Sequence, residues 1–149
     1  MEPTYQVFII VNRSRREVFE AVADPAQLSA YFTTGGASAR MEEGETVTWD
    51  FADFPGAFPV HVTKVVPDEL IMFNWQANEP GVEYQLQVTM KFNEVEKGRT
   101  KVEVEEAGWR DTEEGRAASY GNCMGWSQML AALKAWLEHG INLREGAYR

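Results

Sequence analysis

One cysteine, Cys123, is too few for an internal disulfide, and a lone thiol suits a reducing compartment. Histidine is nearly as scarce. His61 and His139 are the only two, and with Cys123 they lack the spacing of a zinc site. No stretch approaches the roughly 18 apolar residues of a membrane span. The N-terminus, Met1-Glu2-Pro3-Thr4, has no basic region leading into an apolar run, so no signal peptide is expected and the cytoplasm is the expected compartment. Positive charge is also short: 14 Lys and Arg stand against 23 Asp and Glu, a formal net charge of -9. Such a chain repels phosphate backbones and anionic lipid surfaces, which argues against nucleic acid and membranes as partners.

What is present reads as one globular domain over residues 1–149, with 44% hydrophobic and 25% charged residues. Tyr5, Val7, Ile9 and Val11 alternate as the inner face of a first strand. Ser14 with Glu17 three residues on is a capping box, and Val18, Phe19 and Val22 follow at helical spacing. Asp24-Pro25 opens a second short helix carrying Leu28, Tyr31 and Phe32, and Thr33-Thr34-Gly35-Gly36 ends it.

Strands come next, with Trp49 and Phe51, Phe58 and Val60, Phe73 and Trp75, Tyr84 through Phe92, and Val102 and Val104 on one apolar face. Turn residues separate them at Glu43-Gly44, Pro55-Gly56, Pro67-Asp68, Pro80-Gly81 and Lys97-Gly98, spacings that fit hairpins and not helical crossovers. Asp111, with Glu114 three residues on, opens a last, long helix. Its stripe is Trp126, Met129, Leu130, Leu133, Trp136 and Leu137, and Gly140 stops it. One apolar sheet face and one apolar helix stripe bury each other best if the sheet curves around the helix. This is an α+β fold.

Four stretches, in this order, resemble the activator of heat-shock-protein-90 ATPase homologue family, within the START and birch-pollen-allergen-like (SRPBCC) superfamily. They are Val11 to Phe19, Asp24-Pro25-Ala26-Gln27-Leu28 ending in Tyr31-Phe32, the hairpin Val65 to Trp75, and Gly125-Trp126 followed by Leu130, Leu133 and Leu137. Family members often carry tryptophan at the aromatic pair, where this chain has Tyr31-Phe32. The resemblance implies a helix-grip fold: about seven antiparallel strands around a C-terminal helix, with a cavity between them. It implies no reaction and no cofactor. Relatives include lipid carriers, receptors and cyclases, so function has to come from the site.

His61 alternates out of phase with Val60 and Val62 and is expected outside; His139 suits the negative end of the last helix. Cys123 has no base beside it in sequence and is expected to be a small buried core residue. Glu42, Glu43, Glu45, Glu103, Glu105 and Glu106 read as solvated charges, and no matched acid and base emerge. Asp50 and Asp53 sit better, at a cavity mouth.

The aromatics are the informative group. An internal pocket is expected, lined by Trp49, Phe51, Phe73, Trp75, Tyr84, Trp126 and Met129, with its entrance beside Tyr31 and Phe32. Tyr84, Tyr120, Asn122 and Gln128 are candidate polar anchors. Gly115, Gly121 and Gly125 each cost about 1 kcal/mol in a helix interior, so that helix start either packs closely on the sheet or moves to admit ligand.

The first expectation is therefore a carrier or sensor of a small apolar or aromatic ligand, not an enzyme, as a monomer or homodimer. The alternative is a chaperone-contacting domain; the namesake activators carry a further N-terminal domain that this sequence lacks, which places that reading second. A cyclase- or hydrolase-type enzyme comes third.

Overall fold

The computed structural model describes residues 3–148; Met1 and Glu2, read above for a leader, and Arg149 lie outside the described residues. Strand β1 (Tyr5–Val11) runs into α1 (Arg15–Ala23) and α2 (Pro25–Tyr31). Six strands follow: β2 (Gly36–Ala37), β3 (Thr46–Phe51), β4 (Phe54–Val66), β5 (Leu70–Gln76), β6 (Gln85–Glu96) and β7 (Arg99–Ala107). Helix α3 (Glu113–His139) is the last regular element, and a tail over residues 140–148 follows it. The seven strands form one antiparallel sheet in the order β1-β7-β6-β5-β4-β3-β2. The last strand of the chain thus pairs with the first, and α3 lies across the inner face against β1.

Both short helices start where the sequence marks them. The Ser14 hydroxyl accepts from the Glu17 amide at 3.2 Å, and the Asp24 carboxylate accepts from the Ala26 amide at 3.0 Å with Pro25 at the first helical position. Tyr31 is fully buried, and its hydroxyl donates to the Ala21 carbonyl at 3.0 Å; burial pushes its ionisation upward. The inner face of the sheet is the alternation foreseen: Leu86, Val88, Met90 and Phe92 on β6, Val102 and Val104 on β7. Helix α3 contributes Trp126, Met129, Leu130 and Leu133 to this core, while Trp136 and Leu137 pack at its margin.

Several local expectations are corrected. The cap of α3 is Thr112, one residue after Asp111, because the Thr112 hydroxyl reaches the Gly115 amide at 3.0 Å. Helix α3 is continuous from its first turn. A Cβ on Gly115 would collide with the Arg110 carbonyl, so this glycine answers to close packing, whereas Gly121 and Gly125 face open space. The β3–β4 turn falls at residues 52–53 and not at Pro55-Gly56, and β4 starts at Phe54. Phe58 keeps the expected inner phase, paired with Trp49 and with its ring against Phe51 at 5.8 Å, but it is exposed and not enclosed. Cys123 is half-buried and not fully enclosed. Of Gly35 and Gly36, read as the end of α2, Gly36 already opens strand β2.

Candidate functional site

Six of the nine aromatic and apolar residues expected to line a pocket pack on one another. Trp49 meets Phe73 at 5.2 Å and Trp75 at 5.8 Å between ring centroids, and Phe32 meets Phe51 at 5.1 Å and Trp49 at 5.7 Å. Trp126 reaches down from α3 to Trp75 at 5.5 Å, Phe32 at 5.8 Å and Phe73 at 6.2 Å. Most of these contacts are edge-to-face or tilted, the geometry ring quadrupoles favour. Between sheet and helix at this level the space is therefore occupied by rings.

The polar centre of this cluster is Glu106, fully buried on β7. Its two carboxylate oxygens accept from Trp75 Nε1 at 2.9 Å, Trp126 Nε1 at 3.3 Å, Asn122 Nδ2 at 3.1 Å and the Tyr5 hydroxyl. The expectation of a solvated Glu106 is overturned: it continues the inward series Val102, Val104, and its four donors replace water. Burial, and then the charge of Glu106, push the Tyr5 hydroxyl's ionisation upward, which keeps it a donor. Trp49 Nε1 is buried with no partner in the same cluster.

Tyr84 is not part of this group. It precedes β6 and belongs to a second, smaller core of Ala77, Leu86 and Trp109. There its hydroxyl donates to Glu79, whose buried carboxylate also accepts from Arg110 Nη2 at 2.6 Å. The Arg110 guanidinium and the Tyr84 hydroxyl hold the Glu79 carboxyl below its usual range. His61 is exposed and bonded to Thr46 at 2.9 Å, which agrees with its strand phase.

The two remaining expected residues, Tyr31 and Met129, meet Phe32 at an opening. A cleft of about 230 Å³ lies between the end of α2, the middle of α3 and residues 143–148. Its walls include Gln128, Ala131, Ala132, Leu143, Ala147 and Tyr148. The tail is held there by Arg144, which donates to the Asp53 carboxylate at 3.0 and 3.3 Å and lies over the rings of Phe51 at 4.6 Å, Tyr148 at 5.2 Å and Phe32 at 5.4 Å. Tyr148 donates to Gln128 and stacks on Phe54. Gln128 lines this cleft and Asp53 stands beside it through Arg144, whereas Tyr120 is 70% exposed. Arg144 and Tyr148 were not foreseen, since no periodicity marks a tail. A second, wider groove of about 370 Å³ lies at the other side of α1, floored by Phe19 and Met41 and rimmed by Arg16, Arg40 and Asp68.

This geometry offers two open clefts on the surface of the domain. Among the described residues, no three His, Cys, Asp or Glu side chains come together as metal ligands, and no helix is long and apolar enough to cross a membrane. A sequence model of the family "Activator of Hsp90 ATPase homolog 1-like protein" matches residues 12–138. The chain belongs to this family. Protein SSP2350 of Staphylococcus saprophyticus is similar in structure at 30% identity, with a TM-score of 0.80 over 95% of this chain and 96% of that one. Protein MLL2253 of Mesorhizobium loti follows at 21% identity and 0.78, over 91% and 97%. The Aha1 dimer of Colwellia psychrerythraea shares the fold at 22% identity and 0.76, over 93% and 98%. No curated protein matches the sequence closely enough to count. In this activator-family chain the helix-grip architecture that the resemblance implies is present, as seven antiparallel strands with α3 across their inner face.

Proposed function

We propose that the chain is a binding domain that contacts a chaperone ATPase of the heat-shock-protein-90 kind. The family match over residues 12–138 carries this reading. The packing agrees with it in kind: the rings between sheet and helix fill one another's contact surface, so recognition falls to the outside of the domain. The test is the ATPase rate of purified heat-shock protein 90 with rising amounts of this chain, alongside calorimetric titration. Saturable stimulation with a measurable complex is the expected result. An unchanged rate and no heat of binding refute the reading.

A second reading, small-ligand binding, is favoured by one observation: the 230 Å³ cleft that gathers Tyr31, Phe32 and Met129 beside Gln128 and Arg144. It is smaller than most drug-sized pockets, about 300–1,000 Å³, so its ligand is small, with an apolar body and one polar group. Native mass spectrometry of freshly purified protein tests it. A bound mass that disappears in Ala131→Trp, which fills the cleft, supports the reading, and the bare chain mass contradicts it.

A further inference from the structure

Helix α3 carries no charged side chain from residue 117 to residue 133, in a chain that is 25% charged. Its core-facing side accounts for part of this run, but the outward side is uncharged as well. Ala117, Tyr120, Gly121, Met124 and Gln128 recur at steps of three and four, and all are exposed. Tyr120 is 70% and Met124 56% exposed, and a Cβ on Gly121 or Gly125 would meet nothing within 4 Å. A solvent-facing helix normally carries charge on that side.

The lower half of the same stripe faces the chain's own tail. Tyr148 bonds to Gln128, and Leu143, Ala147 and Tyr148 share a cleft with Gln128 and Ala131. The upper half, from Ala117 to Gly125, is uncovered among the described residues.

We infer that this upper half is the contact surface for a second copy of the chain, packed helix against helix about a two-fold axis near Gly121–Gly125. Three observations select a second copy over a different partner. The patch holds both projections (Tyr120, Met124) and hollows (Gly121, Gly125), so an antiparallel copy places each projection over the other's hollow, as a two-fold contact requires. Glycines at this spacing let two helix axes approach closely. The chain's net charge of -9 repels its own copies, and this face brings no carboxylates together. A partner chosen for charge would come with a basic surface, and this patch gives such a surface nothing to pair with.

One helix face falls short of the roughly 800 Å² per partner of a standard interface, so association is read by sedimentation velocity over a rising concentration series. The expected result is a species of twice the chain mass that grows with concentration and is lost in Met124→Glu, while the circular dichroism spectrum and melting point of Met124→Glu stay those of the parent. Separately, Met124→Cys in a Cys123→Ser background is oxidised at the same concentrations and is expected to give a disulfide-linked dimer. A chain that stays monomeric throughout, a dimer that survives Met124→Glu, or a dimer that Met124→Cys fails to link each overturns the inference. None of these outcomes depends on whether the chaperone reading holds.

Discussion

Glu106 shows how a single side chain sets the character of the interior. A carboxylate taken from water is tolerable only when its lone pairs find donors, and here Tyr5, Trp75, Asn122 and Trp126 supply them from β1, β5 and α3. Four donors on three elements converge on one acid, so it fixes where the helix sits on the sheet. Glu106→Gln replaces one acceptor oxygen with a donor and leaves at least one of these groups without a partner. A loss of about 1–3 kcal/mol is expected, read from the denaturant midpoint; an unchanged midpoint contradicts the role. Strand alternation already put Glu106 on the inner side with Val102 and Val104, but a charged side chain overrode that signal in the reading of the sequence. Burial was legible there; the donors that permit it come from residues 16 to 101 positions away and were not.

A second acid works differently. Burial opposes ionisation of Glu138, but the Asn12 amide at 3.0 Å and Lys134 at 2.7 Å outweigh it and hold the carboxyl down from 4.5 to about 2. Because the folded value is depressed, its contribution is present above the unfolded value of 4.5 and lost as pH falls towards about 2. Glu138→Gln is expected to flatten the fall in stability across that window, measured by thermal melts from neutral to acid pH. An unchanged acid profile shows that the pair does not tie β1 to α3.

At the scale of elements, α3 was the most legible part of the sequence and also the part where detail was lost. The stripe Trp126, Leu130 and Leu133 faces the sheet, as helical spacing requires. Leu133, with no exposed surface, should cost about 2–5 kcal/mol on truncation to Ala. The three glycines looked alike in sequence yet differ in surroundings. Gly115→Ala drives a methyl into the Arg110 carbonyl and is expected to cost about 1–3 kcal/mol. Gly121→Ala enters open space and is expected to stabilise a dilute, monomeric chain by up to about 1 kcal/mol. Equal effects at the two sites, by chemical denaturation, contradict this assignment. Turn positions were less legible because the bulge between Trp49 and Phe51 shifts the β3–β4 pairing beyond the Trp49–Phe58 pair; the inner phase of Phe58 was legible, its exposure was not.

At the scale of the molecule, order and patterning specified a sheet curved on a helix, while the contents of its interior depended on side-chain volumes that alternation does not report. Aromatic residues on facing surfaces are equally consistent with a pocket wall and with a packed core until the rings are seen to touch. Here Trp49, Phe73, Trp75 and Trp126 touch, and the open space lies at the mouth under a tail pinned by Arg144. Arg144→Ala releases Asp53 and the rings of Phe32 and Phe51, and is expected to make residues 141–148 the first site cut in limited proteolysis. Protection equal to the parent contradicts the pinning.

The central claim is that the space between sheet and helix is filled and dry, so that recognition takes place outside it. Hydrogen exchange of the indole N–H groups, followed by NMR, tests this most directly. Trp49 and Trp126, both buried, should exchange only with global unfolding, Trp126 because Glu106 holds it and Trp49 because it has no exposed surface. Rapid exchange of these two signals in the folded protein would mean a solvent-filled cavity and would contradict the account.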